Sequence, residues 1–338
     1  MKAWILAKGA TSLDALTLRD MPAPQPGPGE ILIRVRACSL NFRDQAIVRG
    51  VYLGGPVTED IVALSDGAGE VVGLGEGVTR FARGDRVAGA FFQNWIDGPP
   101  HPGVGPALGA AGGAGMLAEY VVLPAAGAVR IADSLDFAEA ACLPCAGVTA
   151  WNALMAGPAP VRPGQHVLVL GTGGVSLLAL QLAKAAGATV IATSSSDEKL
   201  ARAAALGADV LINYREVPQW GAEAARLSGK PGVEHVVEVG GAGTLAQSIA
   251  AVGFGGEIAL IGVLTREGDT SPHGLMFKGA SIRGLFVGSR TMAEELNAFI
   301  DAHGIRPVVD KVFDFADAKS AWAYQASASL FGKVVIGL

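Results

Sequence analysis

Two textures of hydrophobic patterning divide the chain. Up to about residue 125 the apolar residues come in short runs, "EILIRVRACSL", "DGAGEVVGLGEGV", "GDRVAGAFF" and "AEYVVLP", cut by Gly and Pro signals such as "PAPQPGPGE". Short runs bounded by turn formers predict a β-rich unit. From about Val161 continuous apolar strands alternate with alanine-rich helical stretches: "HVLVLG", "TVIATS", "DVLINY", "HVVEVG", "EIALIGV" and "SIRGLFVG" are the six strand candidates. Strands alternating with helices predict an α/β unit with a parallel, doubly wound, six-stranded sheet. Beyond it "TMAEELNAFIDAHG" reads as a helix, and the tail "DKVFDFADAKSAWAYQASASLFGKVVIGL" mixes helix and strand. Its simplest place is back against the first unit. The expected division is therefore residues 1–146 completed by 291–338, with a second domain over 147–290. There is no internal repeat, and the Gly/Ala-rich stretch Gly103 to Gly115 lacks the Gly-Lys-Ser/Thr ending of a P-loop, so it reads as a flexible surface or lid loop.

The chemistry begins at the first strand of the second domain, in "HVLVLGTGGVSLLALQLAKAAGATVIATSSSDEKL" from His166 to Leu200. A strand enters a glycine turn and a helix follows. Gly171 permits the tight turn, and Gly173 lets the backbone approach a pyrophosphate seated on the helix N-terminus, where the partial positive charge suits an anion. The third glycine position is Ser176, a departure. Inside a βαβ unit this turn is a dinucleotide site, with Gly171, Thr172, Gly173, Gly174 and Val175 expected to hold the cofactor. The second strand ends in Ser194, Ser195 and Ser196, where a preference for NAD usually places Asp or Glu on the ribose 2′-OH. Hydroxyl donors near Lys199 suit a 2′-phosphate instead, and Asp197 and Glu198 begin the next helix, where acids are favoured. The expected cofactor is NADP.

Charge and composition narrow the partners. The formal charge is −5 with Lys and Arg scattered, so no basic stripe serves a phosphate backbone and nucleic acid is excluded as a main partner. The longest apolar stretch, "ACLPCAGVTAWNALMAG", is broken by Pro144 and Asn152, and the apolar run near Lys2 is too short for a signal-peptide centre; no membrane role is expected. Three cysteines, Cys38, Cys142 and Cys145, are too few for a disulfide framework. That agrees with a reducing, cytoplasmic setting.

The segments "ACSLNFRD" (37–44), "SDGAGEVVGLGEGVTRFARGDRV" (65–87), "LPCAGVTAWNAL" (143–154), "GTGGVS" and "ALGADVLINY" (205–214) together resemble the medium-chain dehydrogenase/reductase superfamily over nearly the whole chain. The resemblance is to its zinc-free, quinone oxidoreductase-like branch, including zinc-type alcohol dehydrogenase-like proteins, and it implies a GroES-like domain followed by a Rossmann domain. In the zinc alcohol dehydrogenases the catalytic metal is held by Cys, His and Cys at positions where this chain has Asn41, Ser65 and Cys145. The region matching their four-cysteine structural site, "FFQNWIDGPPHPGVGPALGAAGGAG", has no cysteine. A catalytic zinc takes about three protein ligands, so neither metal is expected. The pair Cys142 and Cys145 reads as small buried thiols. The resemblance also implies that Asn41 and Thr149 hold the nicotinamide ribose or substrate-side groups, that Tyr52 is a pocket tyrosine, that Tyr214 lies on the adenosine side, and that Gly262 and Val263 lie beside the nicotinamide. Arg290 is a further candidate for the cofactor phosphates. Phe91, Phe92 and Trp95 are either a pocket wall or core, and Arg43 and Asp44 orient the "NFRD" turn. The family commonly pairs its last Rossmann strand across a two-fold axis, which implies a homodimer.

Without zinc, and with no lysine four residues beyond any of Tyr52, Tyr120, Tyr214 or Tyr324, nothing obvious takes an alcohol's proton. Hydride added to a conjugated carbonyl asks less, because it leaves a delocalised enolate or phenolate that a few donors can stabilise. The expected activity is NADPH-dependent reduction of a quinone, enone or related activated alkene. The alternatives are a zinc-independent alcohol or aldehyde dehydrogenase, and a catalytically silent NADPH-binding sensor or structural protein.

Overall fold

The computed structural model describes every residue except Val263, Arg266, Asp269 and Ala328. The chain divides into Met1–Val148 with Gly288–Leu338, and Thr149–Val287; the pattern had placed these divisions at 146 and 290.

In the first unit the strand Glu30–Ser39 turns Ile31, Ile33 and Val35 into the core while the residues between them stay half-buried. This alternation is that of a sheet with one face covered. The strand pairs antiparallel with Asp66–Leu74 and with Tyr120–Pro124. Near its end it pairs antiparallel with the C-terminal strand Lys333–Gly337, Val335 opposite Ser39 and Ile336 opposite Cys38. That strand in turn lies parallel to Val309–Asp314. The tail is therefore part of the first unit's sheet, and this pairing brings residue 333 beside residues 40 and 41. Leu6, Leu16, Ile31, Ile33, Leu117 and Trp322 are among the core residues.

The stretch Gly103 to Gly115 is a surface loop at Gly103, Pro106, Gly112 and Ala114, which are exposed, and is packed between them. Ala107 and Leu108 are buried, the Leu108 N–H donates to the Phe91 carbonyl at 3.0 Å, and a Cβ on Gly115 would sit 1.8 Å from the Val62 carbonyl oxygen. At Gly109, Gly113 and Gly115 the small residues serve close packing.

In the second unit six parallel strands run in the spatial order Val210–Asn213, Thr189–Ser194, His166–Leu170, Val233–Glu238, Val252–Leu260, Ser281–Gly284. His166–Leu170 has neighbours on both sides and helices on both faces of its sheet, and Val167, Leu168 and Val169 are fully buried. This is why it reads as an unbroken apolar run. The order reverses between His166–Leu170 and Val233–Glu238, and the crevice outside the carboxyl ends at such a reversal is where these sheets bind ligands. A short helix, His273–Lys278, interrupts the approach to the last strand and was not legible in the pattern. Among the described residues no helix is long and apolar enough to cross a membrane.

Candidate active-site residues

The glycine turn leaves the first Rossmann strand as expected. Gly171 has φ +71°, a conformation that strains any residue with a Cβ, and a Cβ at 171 or at 173 would meet nothing within 4 Å. The turn thus faces open space. Gly173 is the N-cap and Gly174 the first residue of the helix Gly174–Ala185, whose opening N–H groups have no intrahelical partners. Thr172 is buried and Val175 half-buried. Ser176, the departure from the glycine pattern, is buried, and its hydroxyl donates to the Leu170 carbonyl at 2.7 Å. The side chain therefore ties the helix to the strand it follows.

At the end of Thr189–Ser194 the three serines have separate duties. Ser196 caps the helix Asp197–Ala205, accepting from the Lys199 N–H, so it is committed to local structure. Ser194 is buried and its Oγ accepts the Ser196 N–H at 3.3 Å, which leaves its own O–H to donate. Ser195 and Lys199 are half-buried. Asp197 is turned aside to the Asn213 amide at 2.8 Å. Tyr214, 41% exposed, donates its N–H to the Ser194 carbonyl. Residues 194, 195 and 214 thus share one end of the sheet.

Gly262 follows the fifth strand and donates its N–H to the Glu238 carbonyl at 2.9 Å; a Cβ there would lie 2.1 Å from the Val239 carbonyl carbon, so only glycine passes. Val263 lies outside the described residues. Glu238, which the sequence reading gave no role, is fully buried at the end of the fourth strand. Its carboxylate accepts from the N–H groups of Gly240 (2.7 Å) and Gly241 (2.9 Å), from the Thr244 hydroxyl (2.6 Å) and from the Ser248 hydroxyl.

Thr149 belongs to the second unit, on the helix Val148–Leu154, and is buried. Arg290 belongs to the first unit, where it donates to the Ala126 carbonyl at 3.0 Å and pairs with Glu294 at 3.3 Å. One helical turn separates Arg290 from Glu294, which sets the two side chains on one face of their helix.

In the first unit the positions of a metal-ligand set are occupied by a hydrogen-bonded cluster. The Asn41 amide donates to the Ser65 hydroxyl (3.4 Å), which donates to the fully buried Asp66 carboxylate (2.8 Å), whose other oxygen accepts the Cys145 N–H (3.1 Å). The Lys333 ammonium, 4% exposed, reaches the Asn41 Oδ1 at 2.6 Å and the Leu40 carbonyl at 2.5 Å. Lys333 and Asp66 were both overlooked. The available signal was a lysine opening the otherwise apolar final strand "KVVIG" and an acid beside Ser65. Burial pushes the Cys145 thiol up, with Asp66 adding to it, and pushes Cys142 up to about 12, so both stay protonated thiols.

Asp44 accepts the Asn41 N–H at 2.6 Å, and burial raises its carboxyl to about 6 against the pull of Arg43. Asp44 therefore does orient the "NFRD" turn, whereas Arg43 faces elsewhere. Its guanidinium carbon lies 5.1 Å from the centre of the Tyr52 ring and 4.7 Å from that of Phe91. Phe91, Phe92 and Trp95 are all buried, the first two edge to face at 4.8 Å, which makes them core. Tyr52 stands half-buried in the loop after the helix Phe42–Val48.

A glycine turn at the reversal of a parallel sheet, joined in one chain to a β-rich unit carrying a buried polar cluster, defines a dinucleotide-dependent oxidoreductase. Known proteins agree. Residues 27–133 match the alcohol dehydrogenase GroES-like domain and residues 174–302 the zinc-binding dehydrogenase domain. The chain is 46% identical over 335 residues to a zinc-type alcohol dehydrogenase-like protein of Schizosaccharomyces pombe, covering 96% of each. A solved NAD-dependent alcohol dehydrogenase has 34% identity and a TM-score of 0.90, with all of both chains covered. A cobalt- and zinc-bound thermostable alcohol dehydrogenase from Pyrobaculum aerophilum has 29% identity and a TM-score of 0.83, covering 100% of this chain and 99% of its own. The chain belongs to the medium-chain dehydrogenase/reductase superfamily and is an alcohol dehydrogenase-like, NAD(P)H-dependent oxidoreductase.

Proposed function

We propose that this protein is a cytoplasmic, zinc-independent, NADPH-dependent reductase of quinones, enones or related activated alkenes. The observation that carries the reading is the Lys333 ammonium 2.6 Å from the Asn41 amide oxygen. An amide and a hydroxyl beside a buried cation leave one thiol and the Asp66 carboxylate, already held by Ser65 and the Cys145 N–H, a poor fit to a catalytic zinc, which needs about three ligands able to give it electron pairs and charge. The same groups suit a substrate that asks only for hydrogen-bond donors. The open glycine turn fits a dinucleotide pyrophosphate, and Ser194, Ser195 and Lys199 fit a 2′-phosphate. Bound NADPH supplies the hydride. The chain's own residues would do the rest: Asn41, held by Lys333 and Asp44, fixes polar groups of cofactor or substrate, and the Tyr52 hydroxyl offers a proton to the anion left by hydride addition.

The test is stopped-flow oxidation of NADPH against quinones, enones, enoyl thioesters and aldehydes, with elemental analysis of the same preparation. Turnover of the conjugated substrates in chelator-treated buffer is expected. About one zinc per chain, with activity lost on chelation and simple alcohols as the best substrates, would establish the dehydrogenase alternative that the relatives' names favour. NADPH binding with no turnover of any of them would leave the silent binding protein.

We also propose a homodimer. Ser281–Gly284 is the last strand of its sheet, and an uncovered edge strand invites pairing. Light scattering that finds only monomer at micromolar concentration would rule this out.

A further inference from the structure

We propose that Arg43 is a positioning residue for this reduction: it fixes the Tyr52 side chain and lends its positive charge to the hydroxyl that hands over the proton. The proton step rests on the reading above; the contact between the two side chains does not. Arg43 is 6% exposed, and its Nη1 donates to the Leu108 carbonyl at 2.7 Å. Its Nε and Nη2 are buried and reach no acceptor. Among the described residues no carboxylate pairs with it directly, since Asp44, its neighbour in sequence, turns to the Asn41 N–H.

A buried guanidinium with unmet donors is costly, and a leucine or methionine would fill the same volume without that cost. What the guanidinium does have is two aromatic faces, Tyr52 and Phe91, at distances where a cation is attracted to the ring. Phe91 cannot ionise, so the charge has one titratable ring to act on. Burial pushes the Tyr52 hydroxyl up, and the Arg43 cation beside it pulls it back; the Cys145 thiol and the Asp44 carboxyl are the other ionisable groups facing it, and both act upward. Arg43 thus favours release of the proton, by its charge and by a hydrogen bond, against the burial. The segment Gly103 to Gly115 contributes here as well, because its Leu108 carbonyl anchors the guanidinium.

Bound NADPH would supply a hydride to the alkene carbon remote from the carbonyl, leaving an enolate. The enolate carbon then takes the proton from the Tyr52 hydroxyl, and the tyrosinate is reprotonated by solvent. NADPH is oxidised and the alkene reduced. A cation lying on the Tyr52 ring stabilises the tyrosinate at the moment it forms.

The chain has four tyrosines, so the ionisation of Tyr52 is readable as the difference in tyrosinate absorbance between a protein and its Tyr52→Phe form. This difference is to be measured in the wild-type and Arg43→Met backgrounds, with Arg43→Gln repeating it should Arg43→Met not fold. The expected result is ionisation of Tyr52 moved to higher pH by about 1 pH unit or more. Protonated Tyr52 is the active form, so activity is lost as pH rises through its ionisation. Removing Arg43 should therefore carry the alkaline limb of the kcat profile upward while the plateau falls about tenfold or more, with KM changing less. A residue that merely packs would lower stability and leave that limb in place. Folded variants whose Tyr52 ionises at the wild-type pH overturn the proposal. Because the titration needs no substrate, a moved ionisation without turnover of any enone would keep the Arg43–Tyr52 coupling and defeat the alkene reading.

Discussion

Glu238→Ala is expected to destabilise the second unit by about 4 kcal/mol or more and to abolish measurable NADPH binding. The carboxylate is fully buried and is the acceptor for the N–H groups of Gly240 and Gly241 and the hydroxyls of Thr244 and Ser248. Truncation leaves these donors inside the protein facing a cavity. An unmet buried donor costs roughly 1–3 kcal/mol, and partial relaxation or an entering water keeps the total below the simple sum. Binding suffers separately. The Gly240–Gly241 turn leaves the carboxyl end of a central strand, on the side where the sheet's ligand is bound, and Glu238 is what fixes its path. Glu238→Gln keeps the shape and one acceptor oxygen, so it should cost about 1–2 kcal/mol and retain weakened binding. Denaturant unfolding and NADPH titration of both variants decide this. A Glu238→Ala protein with wild-type stability would show that the turn is held by its other contacts.

The second unit was largely legible because the signals that form it are local. Strands such as His166–Leu170 and Thr189–Ser194 carry apolar runs of their own, the glycine turn carries its φ requirement at Gly171, and Ser196 with Asp197 and Glu198 announces a helix start. The first unit's cluster was not legible, for a physical reason. Asn41 and Lys333 are 292 residues apart and meet only because the final strand pairs antiparallel with Glu30–Ser39. No periodicity near either residue contains that pairing. The resemblance located Asn41, Ser65 and Cys145 as the positions matching the metal ligands of the zinc alcohol dehydrogenases, but the ammonium and the carboxylate bonded to them appear only when the sheet closes. The Gly103 to Gly115 stretch shows that small residues signal close approach as readily as mobility.

The serines at the end of the second Rossmann strand set the other large effect. NADPH should bind more tightly than NADH, because a 2′-phosphate meets the Ser194 and Ser195 hydroxyls near Lys199 and no carboxylate at the strand end. Asp197 does not disturb this, since its carboxylate is held by the Asn213 amide at 2.8 Å. Ser194→Asp would bring a negative charge to the strand end. Its carboxylate could still accept the Ser196 N–H that Ser194 accepts now, so the local turn survives. What changes is the electrostatics: the phosphate is repelled, while a free ribose 2′-OH gains an acceptor. A charge-assisted hydrogen bond contributes roughly 1.5–3 kcal/mol, so the preference for NADPH over NADH should change by about tenfold to a hundredfold. The expected signature is a weakened NADPH Kd with NADH binding equal or improved. Equal affinities of the wild type for the two cofactors, or an Ser194→Asp protein that keeps its NADPH preference, would mean that the phosphate is held by other residues and that Ser194 serves only the turn it stabilises.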